Sequence, residues 1–351
     1  MTGEFRFSFG PWNIHGGADP FGPPVRASFS FEEKLGFYRK LGFDGIQFHD
    51  DDAVPNLNDL SPAQIEQAAR DMRKQIDNAG LAAEFVAPRL WEDSRTIDGA
   101  YTANDPGDRA YAWDRSKRAI DIANALGTDR IVLWLARDGT YVREAKDAKV
   151  AVEQIVEAIN MMLEYDEKVR ILIEPKPNEP MDQAYVPTIG HAIGLASLTV
   201  APDRVGVLVE SAHAVLAGLD PSDEMAYALA HGKLWSVHLN DQSGLKFDED
   251  KTFGSVDIRR AFNQVRVLDT HGYGRDGEFV GLDVKAMRTQ RKAVSAKHLR
   301  NSRLIFLRLL ELVRSLDEAR VEELIVDRDY EELELLIIRH LAGSQSSSDP
   351  E

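Results

Sequence analysis

Short β-branched or aromatic runs alternate with longer amphipathic stretches along this chain, and that alternation limits the fold more than any other sequence feature. The candidate strands are residues 5–10, 44–48, 82–87, 129–135, 170–174, 205–210, 233–239 and 278–284. The helices predicted between them include 31–41, 61–79, 108–126, 146–166 and 188–198. Repeated strand–helix units form a parallel sheet. Eight of them fit a closed α/β (β/α)₈ TIM barrel better than an open doubly wound sheet, because no Gly-rich phosphate loop follows a strand.

The pattern becomes purely helical after the last predicted strand, so we expect a short C-terminal helical extension. Two helices are predicted there, over residues 295–316 and 318–342. The predicted domains are a barrel at 1–310, a C-terminal helical arm at 311–343 and a disordered Ser-rich tail at 344–351. The second helix has more apolar surface than the rest of the chain is expected to cover. The arm is therefore a candidate oligomer contact, and packing within the same chain is the alternative.

The composition is typical of a soluble globular protein, with 43% hydrophobic and 28% charged residues. No apolar stretch approaches the roughly 18 residues of a membrane helix. The N-terminus lacks a signal-peptide pattern, so the expected location is the cytoplasm. A formal net charge of −16 repels phosphate backbones and argues against nucleic acid as a partner. Since the chain contains no cysteine, a metal site would use carboxylates and imidazoles.

Polar or aromatic side chains suited to chemistry stand at the ends of most predicted strands. They are His49, Trp134, Glu174, Glu210, His238 and Asp283. The carboxyl ends of the strands meet at one rim of a TIM barrel. We therefore expect these side chains to converge on one site.

The segment Glu174-Pro-Lys176-Pro ends the fifth predicted strand. Glu174 and Lys176 are two residues apart and so face the same side of the strand. The prolines cannot continue a central ladder, which places the segment at a rim. Alone, the motif fits a salt-bridged strand end as well as an active site.

Two further motifs combine groups that ligate divalent cations. Glu210 and His213 are spaced three residues apart at a strand end, which suits a hard or borderline metal, although coincidence is common for so short a pattern. Asp248 and Asp250 lie in the loop after the seventh strand and could share a cation. A solvated acidic loop is the alternative for that pair.

The run His49-Asp-Asp-Asp52 follows the second strand. A histidine beside a carboxylate is the usual arrangement for moving protons near neutral pH. Three consecutive aspartates are costly unless they are solvated or opposed by cations, so a solvated acidic turn is the alternative.

Three tryptophans, Trp12, Trp91 and Trp134, lie at or beyond the ends of strands 1, 3 and 4. They are either core residues or an apolar wall that stacks on a sugar ring and excludes water.

Together these motifs resemble D-xylose isomerase, and the resemblance is colinear over about residues 5–310. The segments Phe48–Asp52 and Ile173–Pro180 look like the two signatures of that family. Other matching segments are Phe9-Gly10-x-Trp12, Asp19-Pro20-Phe21-Gly22, Tyr101–Asp105, Glu210-x-x-His213 and Lys246-x-Asp248-x-Asp250.

The resemblance implies two divalent cations, Mn²⁺, Co²⁺ or Mg²⁺, with Zn²⁺ as a further option. Glu174, Glu210 and Asp283 match ligands of the first metal. Glu210 also matches the bridge to the second, which His213, Asp248 and Asp250 complete.

The resemblance also implies roles around the sugar. His49 with Asp52 matches the pair that opens the ring, and Lys176 matches the lysine that hydrogen-bonds the carbonyl oxygen. The walls match Trp12, Trp91 and Trp134, and Phe21 matches an aromatic residue contributed to a neighbouring subunit's site.

His238 departs from the family, which has an aspartate there as a first-metal ligand. We predict that His238 is a ligand in a divergent Glu/Glu/His/Asp site. A nitrogen donor with one less negative charge favours Mn²⁺, Co²⁺ or Zn²⁺ over Mg²⁺. A histidine at this strand also resembles rhamnose isomerases and ketose 3-epimerases.

Two pocket segments, Trp134–Gly139 and Asp283–Arg288, also differ from the family, which leaves the sugar open. The C-terminal arm is shorter than is typical, so a dimer competes with a homotetramer.

The predicted function is a metal-dependent aldose–ketose isomerase of carbohydrate metabolism acting on a monosaccharide. It would open the ring of a xylose-like sugar and shift a hydride between C1 and C2. A ketose 3-epimerase and a sugar-binding paralogue without turnover are the alternatives.

Overall fold

The computed structural model describes residues 5–19, 21–291 and 296–343. Eight parallel strands close into a barrel in sequential order, because the first strand pairs with both the second and the last. The strands are β1 (Arg6–Phe9), β2 (Gly45–His49), β3 (Ala82–Ala87), β4 (Arg130–Trp134), β5 (Arg170–Glu174), β6 (Val205–Glu210), β7 (Leu234–Leu239) and β8 (Phe279–Leu282). The TIM-barrel prediction is confirmed, and the open sheet is wrong.

Helices cover the outside of the barrel and continue beyond it. They are α1 (Phe31–Leu41), α2 (Asp50–Ala53), α3 (Pro62–Asn78), α4 (Pro106–Leu126), α5 (Ala148–Tyr165), α6 (Ile189–Ala196), α7 (Ser211–Leu216), α8 (Pro221–Ala230), α9 (Ile258–Thr270), α10 (Lys297–Ser315), α11 (Glu318–Asp327) and α12 (Tyr330–Ala342). Local sequence sets many of their ends. Ser30 and Glu33 form a capping box that starts α1, and Gly42 ends it with a φ of 71°.

The main core lies between the outward faces of the strands and the helices, and a smaller set of side chains fills the barrel itself. Phe85, Val132, Leu172, Leu208 and Trp235 form an apolar cluster contributed by strands on both sides of the barrel. Beside it, Ser236 of β7 hydrogen-bonds Glu84 of β3, two strands that do not pair. The barrel interior therefore contains a polar layer as well as an apolar one.

The C-terminal region differs from the prediction in one respect: residues 318–342 form two helices instead of one. Arg328 has a φ of 58°, which ends α11, and the Asp329 side chain accepts a hydrogen bond from Glu332 N to start α12. The predicted tail at 344–351 lies outside the described residues.

The apolar positions of this arm are only partly covered. Ile337 is buried, whereas Val326 is 74% exposed and Ile338 is 51% exposed. The oligomer contact stays a prediction. In the part of the chain that the structure describes, none of the helices is both long and apolar enough to cross a membrane.

Candidate active site

Four predicted ligands from adjacent strands converge at the carboxyl-terminal rim of the barrel. The His238 Nδ1 atom lies 3.4 Å from Glu174 Oε1 and 3.7 Å from Glu210 Oε2. One ligand atom each from Glu210, His238 and Asp283 lie within 4.8 Å of one another. This convergence follows from the parallel barrel, since each residue ends or follows its own strand.

A second group adjoins the first through Glu210. The His213 Nε2 atom, on α7, lies 3.3 Å from both Glu210 Oε1 and Asp248 Oδ2. One ligand atom each from Glu210, Asp248 and Asp250 also lie within 4.8 Å of one another. Asn240, which sequence reasoning missed, donates to Glu210 Oε1 at 2.9 Å and to Asp250 Oδ1 at 3.0 Å.

The pKa values in this cluster diverge strongly. Burial would raise the pKa of Glu174, but the charge and hydrogen bond of His238 lower it to about 2. Burial raises the pKa of Glu210 to about 7. Burial and the neighbouring Asp248 carboxylate raise the pKa of Asp250 well above its usual range. Burial, and then the charge of the neighbouring carboxylates, therefore disfavours the ionised forms of Glu210 and Asp250 unless positive charge is added.

Two lysines supply part of that positive charge. The Lys176 Nζ atom lies 2.8 Å from Asp248 Oδ2 and 3.3 Å from Glu179 Oε2. Lys285 forms an ion pair with Asp250. Lys176 thus pairs across the site with Asp248 and not with Glu174, its neighbour in the motif. The Glu174 side chain is directed towards His238 and His213 instead.

The donor set fits divalent cations. It combines carboxylate oxygens with imidazole nitrogens, as hard to borderline metals require. Two buried atoms within it, His213 Nδ1 and Asp248 Oδ1, have no hydrogen-bond partner among the described residues. Buried polar atoms are nearly always paired, so unpaired atoms facing converging carboxylates indicate an ion site.

The predicted proton-transfer pair is present on the opposite side of the rim. The His49 Nδ1 atom lies 2.9 Å from Asp52 Oδ2. Cations oppose the three aspartates: Arg89 pairs with Asp51 at 2.8 Å, and Arg115 pairs with the fully buried Asp50 at 2.7 Å. The solvated-turn alternative is therefore wrong. Both arginines were missed because they are distant in sequence.

The rings of Trp12, His49, Trp91 and Trp134 contact one another in that order as a continuous row. The Trp12 ring stacks on His49 with centroids 4.1 Å apart, and the Trp91 ring meets His49 edge-on at 5.1 Å. Trp91 also packs edge-on against Trp134 at 4.6 Å, and the Lys176 ammonium lies 5.2 Å from the Trp134 ring centre. The row therefore joins the proton-transfer pair to the lysine.

Trp12 also contacts one of the predicted metal ligands directly. Its Nε1 atom donates to Asp283 Oδ1 at 2.8 Å. Asn13, another residue missed from sequence, donates to the same oxygen at 3.3 Å and accepts from Val284 N at 2.6 Å.

Phe21 is the one predicted site residue that the structure does not bring into the cluster. It lies in the loop after β1 and is 96% exposed. The loop is held by Asp19, which forms an ion pair with Arg288 at 2.8 Å. A place in a neighbouring subunit's site remains a prediction.

Comparison with known proteins agrees with this architecture. A family model described as the xylose isomerase-like TIM barrel matches residues 35–300. The xylose isomerase of Thermus thermophilus is 35% identical over 292 residues, which is 82% of this chain and 74% of that protein.

Solved structures show a similar fold. A D-tagatose 3-epimerase-like protein has a TM-score of 0.62 at 15% identity, covering 88% of this chain and 98% of that one. The D-psicose 3-epimerase of Clostridium cellulolyticum, solved with D-tagatose, has a TM-score of 0.57 at 13% identity, covering 90% and 98%. At these identities the likeness concerns the fold alone.

Proposed function

Because the chain belongs to the xylose isomerase-like TIM-barrel family, we propose that it is a metal-dependent aldose–ketose isomerase. The observation that carries this proposal is the position of Glu210. It shares one group with His238 and Asp283, another with Glu174 and His213, and a third with the two loop aspartates. A carboxylate between two adjoining donor sets suits a bridge between two cations.

Divalent cations bound in these sets would polarise the two neighbouring sugar oxygens between which hydrogen must move. Glu174, Glu210, His238 and Asp283 would hold the first cation. Glu210, His213, Asp248 and Asp250 would hold the second. We propose Mn²⁺ or Co²⁺ ahead of Mg²⁺, since His238 contributes a nitrogen donor.

Ring opening is assigned to His49 and Asp52. The Asp52 carboxylate faces His49 Nδ1 at 2.9 Å. The Nε2 atom is then left to move a proton between the anomeric hydroxyl and the ring oxygen of a bound sugar. The Trp12 ring stacks on the imidazole and the Trp91 ring meets it edge-on, and the two contacts restrict how the imidazole can turn.

Lys176 is assigned to the carbonyl oxygen of the opened sugar. Its side chain is 7% exposed. Burial by itself would lower the pKa of Lys176, but the neighbouring carboxylates, Asp248 foremost, together have the larger effect and raise the pKa to about 12. It is therefore a permanent cation that can hydrogen-bond a developing oxyanion. The tryptophan row provides a water-poor wall suited to hydride movement between C1 and C2.

A ketose 3-epimerase is the second candidate, and His238 is the observation that favours it, because a histidine on this strand resembles such enzymes. A sugar-binding paralogue without turnover is disfavoured by the intact His49–Asp52 pair and by Lys176. A xylose-like substrate, a homotetramer or dimer and a cytoplasmic location are part of the proposal.

The test is product analysis with defined metals. Metal-stripped protein is incubated in D₂O with Mn²⁺, Co²⁺ or Mg²⁺ and with a panel of aldoses and ketoses, and products are identified by NMR. A C1–C2 interconversion without solvent deuterium supports the isomerase, whereas a C3 epimer carrying deuterium supports the second candidate. Glu210→Gln serves as the inactive control, and absence of any product with every metal would contradict both enzymes.

A further inference from the structure

The His238 ring presents its two nitrogens to different surroundings. Nδ1 faces the carboxylates of Glu174 and Glu210, at 3.4 Å and 3.7 Å. Nε2 points into the barrel and lies 3.2 Å from Oε1 of Gln47 on β2. An imidazole bound to a metal through one nitrogen normally donates a hydrogen bond from the other.

The Gln47 amide has only one orientation that satisfies its neighbours. Its Nε2 group donates to Glu84 Oε2 and to Ser8 Oγ, both at 3.1 Å. A reversed amide would set its oxygen against the Glu84 carboxylate and its NH₂ against the N–H of His238. Glu84 therefore fixes Gln47 with its oxygen towards His238.

Glu84 is itself held by donors from two further strands. It accepts hydrogen bonds from Ser236 Oγ at 2.7 Å and from Ser8 Oγ. Ser8, Gln47 and Ser236 are fully buried, and Glu84 is 2% exposed. Within residues 5–19, 21–291 and 296–343, no lysine, arginine or histidine nitrogen forms an ion pair with Glu84. Burying a carboxylate without a cationic partner costs free energy. The packing of the barrel interior does not explain the presence of Glu84, because an apolar side chain would fill the same space at lower cost.

We propose that Gln47 and Glu84 are positioning residues that hold His238 as its Nε2–H tautomer and direct the Nδ1 lone pair at a bound divalent cation. This inference rests on the proposed metal-dependent function. It explains how a histidine works at a position where the related family has an aspartate. A carboxylate offers equivalent oxygens, whereas an imidazole ligates through one nitrogen only and needs its tautomer set.

The test measures metal binding and tautomer in the full chain without sugar. Gln47→Met keeps the side-chain length but removes the acceptor. Glu84→Leu removes the group that orients Gln47, and it also leaves the buried Ser236 hydroxyl without its acceptor, so thermal melting is measured beside metal binding for each variant. Gln264→Met is the matched control, because Gln264 is also buried and accepts a hydrogen bond from Ser211 at 2.7 Å. Zn²⁺ affinity is measured by competition with a chelator, and the His238 tautomer by ¹⁵N NMR, assigned with His238→Gln.

We expect wild type and Gln264→Met to bind Zn²⁺ alike, with His238 protonated at Nε2. Gln47→Met and Glu84→Leu should each weaken binding by about 10- to 100-fold and show mixed tautomers, even where thermal stability is retained. If either folded variant binds Zn²⁺ within twofold of wild type and keeps a single Nε2–H tautomer, the inference is overturned. Should wild type bind metal in this tautomer yet convert no sugar, the proposed function fails and the positioning role stands.

Discussion

The Nη2 atom of Arg89 lies 2.7 Å from His49 Nδ1, the nitrogen that also lies 2.9 Å from Asp52 Oδ2. One ring nitrogen cannot both donate to the carboxylate and accept from the guanidinium. Arg89 therefore competes with Asp52 for the imidazole, and it also contacts Asp52 directly at 3.3 Å. The pair predicted from sequence is a triad in the structure.

Replacing Arg89 tests how far this arginine offsets the aspartate run. Arg89→Met leaves Asp51 and Asp52 without their nearest cation, so we expect a loss of about 2 kcal/mol in the free energy of unfolding. Urea denaturation measures it. Arg308→Met, which breaks an exposed pair with Glu311, is the control and should change stability by less than about 0.5 kcal/mol. Equal effects for the two variants would contradict the assignment.

Metal binding should stabilise the protein because cations relieve the repulsion among the buried carboxylates. Saturation at about 100 times the dissociation constant should add about 2.7 kcal/mol. Thermal melting with EDTA and with Mn²⁺ measures the shift. Glu210→Gln removes the carboxylate common to the three rim groups and should abolish most of it; an undiminished shift would place the metal elsewhere.

Changing His238 should alter which metal is preferred. His238→Asp replaces a nitrogen donor with an oxygen donor and adds a negative charge. We expect the Mg²⁺ affinity relative to Co²⁺ to rise by about tenfold. Isothermal titration with each metal measures the ratio. Because the substitution changes the donor atom beside Glu174, which contacts the imidazole at 3.4 Å, a metal bound there must respond to it. An unchanged ratio would mean that His238 is not a ligand.

Lys176 should affect turnover more than metal binding. Lys176→Met removes the cation assigned to the carbonyl oxygen, and we expect kcat to fall about 10²- to 10³-fold. Because Asp248 then loses its 2.8 Å partner, Mn²⁺ affinity should be kept or increased. Steady-state kinetics and Mn²⁺ titration together check this, and a variant with normal kcat would remove Lys176 from the chemistry.

His298 should make stability depend on pH. Burial lowers its pKa to about 4, and its Nε2 atom contacts Asn13 O at 2.9 Å. A histidine with a lowered pKa contributes stability that is present above its unfolded pKa and is lost as pH falls towards the folded value. We expect wild type to lose about 3 kcal/mol from this residue between about pH 7 and pH 4.

His298→Gln keeps a donor for Asn13 and should flatten the stability curve in that range. Unfolding by urea at several pH values measures it, with the exposed His231→Gln as control. Parallel curves for wild type and His298→Gln would show that another group is responsible; His15, whose pKa burial also lowers to about 4, would be the first to test.

Much of the barrel could be predicted because its information is local. The strands at 82–87, 170–174 and 205–210 have the predicted bounds, and the end of α1 follows from Gly42. The undivided helix over 318–342 was wrong, because its apolar pattern continues across Arg328 while the backbone adopts a left-handed conformation there. A local pattern shows which face is apolar but not whether the backbone is continuous.

The sequence by itself determined the strand–helix alternation, because strand and helix periods are properties of neighbouring residues, and its resemblance to D-xylose isomerase predicted the metal ligands and the tryptophan wall. Only the tertiary structure decided that Arg89 contacts His49 and that Asn240 donates hydrogen bonds to both Glu210 and Asp250. It also decided that Gln47 contacts His238 and is itself hydrogen-bonded to Glu84. These contacts join residues on different strands and loops. They depend on barrel closure and side-chain direction, which no spacing along the chain specifies.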